Sequence, residues 1–315
     1  MRRQLAALLA LALAGGSIYS TAPAAPARAI EEAAVGRWDI TIQTPAGAVP
    51  SWLEIRRSGS RTFVGQFVGV SGSARPISRI EVNGGELHFA IPAQWEKGTE
   101  DLSFQGRVQG DKMSGSITFP DRKRHDLTAT RAPSLHRSTT PRWTEPIHLL
   151  NKSDLTGWRT LEGQSRWQVA DGVLRNTAGG ANLVTERKFT DFKLHVELRF
   201  PEGSNSGVYL RGRYEVQIAD HLGEPASDGL GAVYGFIAPS EDAGKGPNEW
   251  QSLDITLLGR RITVVLNDKT VICDQDIPGI TGGALDSDEG APGPLLLQGD
   301  HGPVEFRNII LTPAR

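Results

Sequence analysis

Residues 192–218 read FKLHVELRFPEGSNSGVYLRGRYEVQI, and the fold follows from how that stretch alternates. Phe192, Leu194, Val196, Leu198 and Phe200 take every second position, with Lys193, His195, Glu197 and Arg199 between them. Successive side chains of a strand point to opposite faces, so the pattern is a half-buried strand and not a helix. The split repeats twice. Val208 and Leu210 stand against Tyr209 and Arg211, and Tyr214, Val216 and Ile218 stand against Glu215 and Gln217. If the three strands pair as neighbours, one surface carries His195, Glu197, Arg199, Tyr209, Arg211, Glu215 and Gln217. An ordinary solvated sheet face is the plain alternative. Such faces favour Thr, Lys and Ser, whereas arginine forks, carboxylates, an amide and an aromatic ring are what a polyhydroxylated ligand uses.

The segments on either side have the same character. Downstream, Leu253–Leu258, Ile262–Leu266, Thr270–Cys273 and Pro303–Leu311 read as strands, broken by Gly259-Arg260 and Asn267-Asp268. Upstream, Trp167–Val169 and Val173–Leu174 flank Asp171-Gly172, a strong hairpin signal. The economical answer for residues 147–315 is a two-sheet antiparallel sandwich. Residues 30–131 hold a second series of short runs, at Trp38–Ile42, Trp52–Ile55, Thr62–Val68, Glu86–Ile91, Leu102–Val108, Met113–Ile117 and Asp126–Thr130. Turn signals such as Asn83-Gly84-Gly85 separate them, which predicts a small antiparallel β-barrel or sandwich with a weak lipocalin-like flavour in "GRWD". Glu86 and His88 share a face of one run and read as outward polar residues. Residues 132–146 hold three prolines and no periodicity, the composition of a linker. The fold class is all-β throughout.

The chain has 315 residues, 36 Gly, 19 Pro and a formal charge of −2, so no basic footprint points to nucleic acid. One cysteine excludes an intramolecular disulfide and a cysteine-based zinc site; Cys273 is expected to be a small buried apolar side chain. Met1-Arg2-Arg3, the apolar run Leu5–Ala14 and Ala27-Arg28-Ala29 predict a cleaved export signal over residues 1–29, too short in its apolar part to span a bilayer. Removing it leaves 31 basic and 36 acidic residues, a net −5. The expected protein is exported, periplasmic or extracellular, without a membrane span.

Loops supply further candidates. Asn205-Ser206-Gly207 precedes a strand, Tyr234 precedes Gly235, Trp250 opens a strand, and Gln298-Gly299-Asp300-His301-Gly302 precedes the last one. His301, between glycines that let backbone approach a ligand, is a candidate acid or base, with turn capping as the alternative. Asp286-Ser287-Asp288-Glu289 lacks calcium-loop spacing and reads as a solvated loop.

The segments LNKSDLTGW (150–158), WQVADGVL (167–174), FTDFKLHVELRFPEGSNSGVYLRG (189–212), YEVQIAD (214–220), GAVYGF (231–236), NEWQSLDITLLGRRITVVLND (248–268) and QGDHGPVEFRNI (298–309) resemble the 3-keto-disaccharide hydrolase domain family, in its order. The resemblance covers about residues 147–313. It implies a concanavalin A-like jelly roll, exported bacterial proteins, and action on 3-keto-glycosides. The family's usual functional positions map to Glu197, Asn205, Arg211, Glu215, Gln217, Tyr234, Trp250 and His301. The candidate catalytic set is Glu215, His301, Arg211 and Glu197. Asn205, Tyr209, Gln217, Tyr234, Trp250 and Gln298 form the candidate substrate-binding set.

A C3 ketone acidifies the C2 proton and puts the C1 leaving group β to a carbonyl. Cleavage by elimination and rehydration then needs a base, an enolate stabiliser and an acid, unlike the two-carboxylate route of ordinary glycosidases. His301 or Glu215 is the expected base, and Tyr234 or a carboxylic acid the donor. Arg211, or a divalent cation held by Glu215 and a neighbour, is the expected enolate stabiliser; the motifs fix no cofactor, and the metal ligands are unknown. Trp250 is expected to stack on the sugar. Two other classes stay open: a noncatalytic carbohydrate-binding module, and an interaction protein using the N-terminal barrel.

Overall fold

The computed structural model describes residues 31–60, 62–151, 153–220 and 226–315, so the export signal expected at 1–29 lies outside the described residues. Among the described residues no helix is long and apolar enough to cross a membrane. Of the two architectures open for the N-terminal part, the structure takes the barrel. Its strands are β1 (Gly36–Thr44), β2 (Gly47–Ser58), β3 (Thr62–Val68), β4 (Arg75–Asn83), β5 (Glu86–Ile91), β6 (Leu102–Gln109), β7 (Lys112–Thr118) and β8 (Arg124–Arg131). Each pairs antiparallel with the next, and β8 closes on β1. Inward positions hold Trp38, Ile40, Leu53, Ile55, Phe67, Phe89 and Phe104, all buried. The Phe89 and Phe104 rings stack with centroids 4.7 Å apart. The interior is therefore filled by side chains, as small barrels require.

β4 is the strand that alternation misses. Its inward Ile77 and Ile80 are three residues apart, because the β3–β4 register shifts between Phe63 and Gly65 and the extra residue, on β4, breaks the period of two. Glu86 and His88 do face outward on β5, and Glu86 takes Arg107 as its ion-pair partner.

Residues 132–146 are docked rather than free. Ala132 N–H donates to Arg37 O, Arg137 Nη1 meets Asp191 Oδ2 at 2.7 Å, and Trp143 bridges to Ala314. Beyond them lie β9 (Ile147–His148), β10 (Trp158–Thr160), β11 (Trp167–Ala170), β12 (Val173–Asn176), β13 (Leu183–Thr185), β14 (Phe192–Arg199) and β15 (Asn205–Leu210). The chain finishes with β16 (Tyr214–Ala219), β17 (Gln251–Leu258), β18 (Arg261–Leu266), β19 (Lys269–Asp276), β20 (Leu296–Leu297) and β21 (Val304–Pro313). They form two antiparallel sheets packed face to face, the expected jelly-roll sandwich. One runs β10-β13-β20-β15-β16; the other runs β11-β12-β21-β14-β17-β18-β19, with β9 on β21. The Asp171-Gly172 turn has both residues at positive φ, 53° and 75°, the primed hairpin geometry.

The strand order corrects one expectation. β14 lies between β21 and β17, in the other sheet from β15 and β16. Leu194, Val196, Val208, Val216 and Ile218 share one core between the sheets. The outward residues of β14 and those of β15 and β16 therefore face away from each other, and no common surface exists. Adjacency in sequence does not fix adjacency in a sheet when a long strand crosses between layers.

Cys273 is exposed, not buried. It sits on the edge strand β19, where register shifts put Val271 and Ile272 both inward and leave the next position facing water. Glu289 likewise departs from the solvated-loop expectation. It is buried, held by Arg260 Nε at 2.8 Å and by the Tyr214 hydroxyl at 2.7 Å, while neighbouring Asp286 accepts from Arg213 Nε at 2.7 Å.

Barrel and sandwich are fused by burial. Trp52 and Val68, on outward positions of β2 and β3, belong to the sandwich core. The Trp52 ring meets Phe236 edge-on at 5.4 Å and lies so close to Gly279 that a Cβ there would be 2.6 Å from its Cδ1. Burying a tryptophan of this kind is worth about 3–5 kcal/mol against alanine. Outward Asp39 of β1 is also buried. Burial first, and the nearby Glu289 second, push its carboxyl up to about 8.

Candidate functional site

A small cavity of about 90 Å³ opens over the outward face of β15 and β16. Tyr209 and Asn205 come from β15, and Glu215 and Gln217 from β16. Tyr234, the Gly282-Gly283 backbone, Gln298 and His301 arrive on loops, and Ser71 and Gly72 arrive from the barrel. The alternation of 207–218 explains the floor, because Val208, Val216 and Ile218 anchor the strands inward and leave Tyr209, Glu215 and Gln217 on the cavity side. Register puts Tyr209 opposite Glu215 and Gly207 opposite Gln217. Gly207 has a steric role: a Cβ there would overlap Glu215 Oε1 and lie 2.9 Å from its Cγ.

Glu215 is 3% exposed. Burial pushes its carboxyl up to about 8, against the smaller opposing pull of the Tyr209 hydrogen bond and of His301. The Tyr209 hydroxyl is 2.8 Å from Glu215 Oε2 and 3.0 Å from the Gly282 carbonyl. One O–H proton serves only one of these acceptors. When Glu215 carries a proton, its O–H donates to the Tyr209 oxygen and the tyrosine O–H goes to Gly282, so both are satisfied. When Glu215 ionises, Tyr209 turns to it. Burial, then Glu215, also hold the Tyr209 hydroxyl well above its ordinary value and so keep it protonated. The Gln217 amide, with its nitrogen toward Glu215 Oε1 at 3.2 Å and the Ser206 carbonyl at 3.1 Å, is a second donor to the carboxylate. Glu215 can thus hold or release a proton near neutrality, with partners for both states.

His301 sits at the rim, where about half of its side chain is exposed. Its Nδ1 is 2.8 Å from Asp300 Oδ1. That hydrogen bond raises the imidazole above its ordinary value, and the same bond lowers Asp300. Gln298 Oε1 is buried without a partner among the described residues and lines the cavity, an acceptor open to a ligand hydroxyl. Burial, then Glu215, raises the Tyr234 phenol, which stays a donor at neutral pH.

Seven of the ten candidate residues meet here: Asn205, Tyr209, Glu215, Gln217, Tyr234, Gln298 and His301. Three do not. β15 ends at Leu210, and Arg211 at φ 54° turns off the strand, so its Nη2 donates to the Tyr214 hydroxyl at 2.8 Å and to Gly259 O at 3.2 Å. Glu197 faces the opposite side of the sandwich, bound by Asn308 at 2.6 Å and Arg307 at 2.5 Å. Burial pushes against it, but those two donors prevail and hold its carboxyl below the usual range. Trp250 lies on that same side with Arg307 at 3.9 Å and Arg199 at 4.9 Å from its ring centre. Sequence reading passes over Ser71 and Gly72, which carry no chemical signal, and Asp300, whose adjacency to His301 was the available clue.

For a divalent cation, no group of three or more His, Cys, Asp or Glu side chains able to hold a metal occurs among the described residues. A larger open groove of about 560 Å³ crosses the outside of the barrel near His88 and Gln105. The charged groups there are exposed, the Arg107–Glu86 pair among them, whereas the small cavity holds the buried Glu215 beside His301, so the small cavity is the chemical site.

The 3-keto-alpha-glucoside-1,2-lyase-like domain family matches residues 145–312. A protein of Parabacteroides distasonis described as a "putative glycosyl hydrolase" is 29% identical, with a TM-score of 0.46 over 53% of this chain and 82% of its own. A second so described, from the same organism, is 27% identical, with a TM-score of 0.43 over 53% of this chain and 98% of its own. A prokaryotic beta-1,3-1,4-glucanase (lichenase) derived from a mouse hindgut metagenome is 14% identical, with a TM-score of 0.34 over 54% and 99%. No curated protein matches the chain. The chain belongs to the 3-keto-alpha-glucoside-1,2-lyase-like domain family, which supports a carbohydrate-active hydrolase.

Proposed function

We propose, from that family membership, that the chain cleaves 3-keto-glycosides or 3-keto-disaccharides by elimination across C1 and C2 followed by addition of water. The single observation that carries the reading is Glu215, a buried carboxyl poised near 8 on the floor of a small cavity that has protonatable His301 at its rim. A group with a pKa near the working pH is the one suited to move a proton in both directions.

The roles follow from depth. The ring being opened to chemistry sits on the floor and the departing alcohol leaves toward solvent. Glu215, as carboxylate, takes the C2 proton while Tyr209 and Gln217 donate to it. The electron pair forms the enolate of the C3 ketone, whose oxygen accepts from donors lining the cavity, Tyr234 and Asn205. Collapse of the enolate forms the C1–C2 double bond and breaks the C1–O bond. His301, as imidazolium held by Asp300, gives its proton to the leaving oxygen. Water then enters as the alcohol departs and adds at C1; the Glu215 carboxyl exchanges its proton with that water before giving one to C2, and His301 recovers its proton from the adding water. Net hydrolysis results, with no oxidant or reductant consumed. The noncatalytic binding module is the weaker reading, because a glycan-binding face needs no buried acid with a displaced pKa. The pattern of residues 1–29 supports an exported site of action.

The test is turnover of a 3-keto-disaccharide in heavy water. Elimination and rehydration place solvent deuterium at C2 of the released 3-keto sugar, faster than the free sugar exchanges. Release without that label overturns the elimination route, and no turnover of any 3-keto-glycoside overturns the reading.

A further inference from the structure

The barrel lies outside the matched family region, yet it supplies part of the wall of the site. We propose that the β3–β4 loop of the barrel, residues 69–74, is the specificity-determining wall of the cleft, closing it so that it accepts one terminal sugar ring and excludes internal residues of a longer glycan. The proposal rests on the carbohydrate reading above.

Three observations carry it. Ser71 and Gly72 line the same 90 Å³ cavity as Glu215 and His301. That volume is far below the roughly 300–1,000 Å³ of clefts that hold drug-sized ligands, so the reacting edge of one ring can enter it and an extended chain cannot. The loop is also built in rather than draped over. Gly283 N–H donates to Val70 O at 3.0 Å. A Cβ at Gly282 would overlap the Gly72 carbonyl, and one at Gly235 would sit 2.7 Å from Ser73 Cα. Backbone meets backbone at both points. Finally, the loop is held from the barrel side. Gly72, at φ 82°, packs where a Cβ would overlap the Trp95 ring, and Arg75 lies 4.9 Å from that ring centre while pairing with Glu96 at 2.7 Å. Without this loop the cavity over β15 and β16 would be walled only by the sandwich's own loops and open on the barrel side. The barrel closes that side.

Ser71 is exposed, so its side chain can be changed without disturbing the core. The experiment compares the whole chain with its Ser71→Trp and Ser71→Gly variants. It uses 3-keto-glucosides whose aglycone grows from methyl to a disaccharide, and calorimetry with 3-keto-glucose. Ser71→Trp fills the pocket and is expected to raise KM about tenfold or more, most for the largest aglycone, and to weaken 3-keto-glucose binding alike. Ser71→Gly is expected to move the large-to-small preference the other way, and melting temperatures show that both variants fold. If the unaltered chain cleaves or binds these sugars and Ser71→Trp changes neither KM nor affinity by more than twofold, the loop is not a wall and only this inference falls. If the unaltered chain neither cleaves nor binds any of them, the carbohydrate reading and the wall built on it fall together.

Discussion

Replacing Glu215 by glutamine separates stability from activity, and the structure gives the size of each effect. Burial raises the carboxyl from 4.5 to about 8 in the folded chain. For an acid raised in this way the native state binds the extra proton. Its stabilising contribution is complete below the unfolded value and is lost as pH climbs through the folded one. Each pH unit between the two values costs about 1.4 kcal/mol of stability. Between about pH 5 and about pH 7.5 the native protein therefore loses roughly 3 kcal/mol on account of this one residue. Glutamine keeps the shape, cannot ionise, and removes that slope. For a chain of this length, 3 kcal/mol corresponds to roughly 5–10 °C in melting temperature.

The assay is the melting temperature of both proteins across that pH range, with turnover measured alongside. The gap between variant and parent is expected to move in favour of the variant as pH rises, by the amount above. Every other titrating group, Asp39 included, is common to both proteins and cancels. Over the same range the variant is expected to lose about 10²–10⁴-fold in kcat, the usual contribution of a positioned acid–base group. The parent's kcat/KM profile should show an inflection near 8 that the variant lacks. Parallel melting curves would mean that the native carboxyl is already ionised at neutrality, and the account of the site as a proton reservoir would be wrong.

The remaining expectations concern the rim, the opposite face and the junction. His301→Asn is expected to cost about 10²–10³-fold with a sugar leaving group and far less with a nitrophenolate, which leaves without a proton; equal losses for both would remove His301 as the acid. Trp250→Ala, on the far side of the sandwich, is expected to leave kcat/KM within about twofold; a larger loss would place a substrate contact there. Trp52→Ala is expected to destabilise by about 3–5 kcal/mol and to split a single melting transition into two, one per sheet system. Asp39→Asn removes an acid raised above its unfolded value. Its melting temperature is therefore expected to gain on the parent from about pH 5 upward; a gain only at lower pH would show that Asp39 is ionised when folded.

How much of this was legible depended on whether a residue's environment came from its own strand or from elsewhere. In 207–218 the alternation alone assigns Tyr209, Glu215 and Gln217 to one face, and the structure puts all three on the cavity floor. The same alternation assigns Glu197 to an outward face correctly, but says nothing about which sheet the strand joins; β14 went to the other layer and took Glu197 with it. Arg211 was lost to a turn one residue past the strand end, where parity no longer holds. The bulged barrel strand β4 was missed for a related reason, since Ile77 and Ile80 cannot both face inward in a strict period of two.

The junction is the part that a strand-by-strand reading cannot reach, and it is where the burial that gives the site its chemistry originates. Trp52, Val68 and Asp39 stand at outward barrel positions, where an isolated barrel would show them to water. All three are buried because the sandwich covers them, and the loop carrying Ser71 and Gly72 reaches the cavity through the same contact. Glu215 is in an equivalent position on the sandwich: outward by its strand, yet 3% exposed because loops and the barrel close over it. A separated sandwich would lose the Ser71–Gly72 part of that cover, admit water to the cavity and let the carboxyl move down toward its ordinary value, making it a weaker base. The two sheet systems thus act as one unit for a physical reason. The cavity over Glu215 has a wall from each of them.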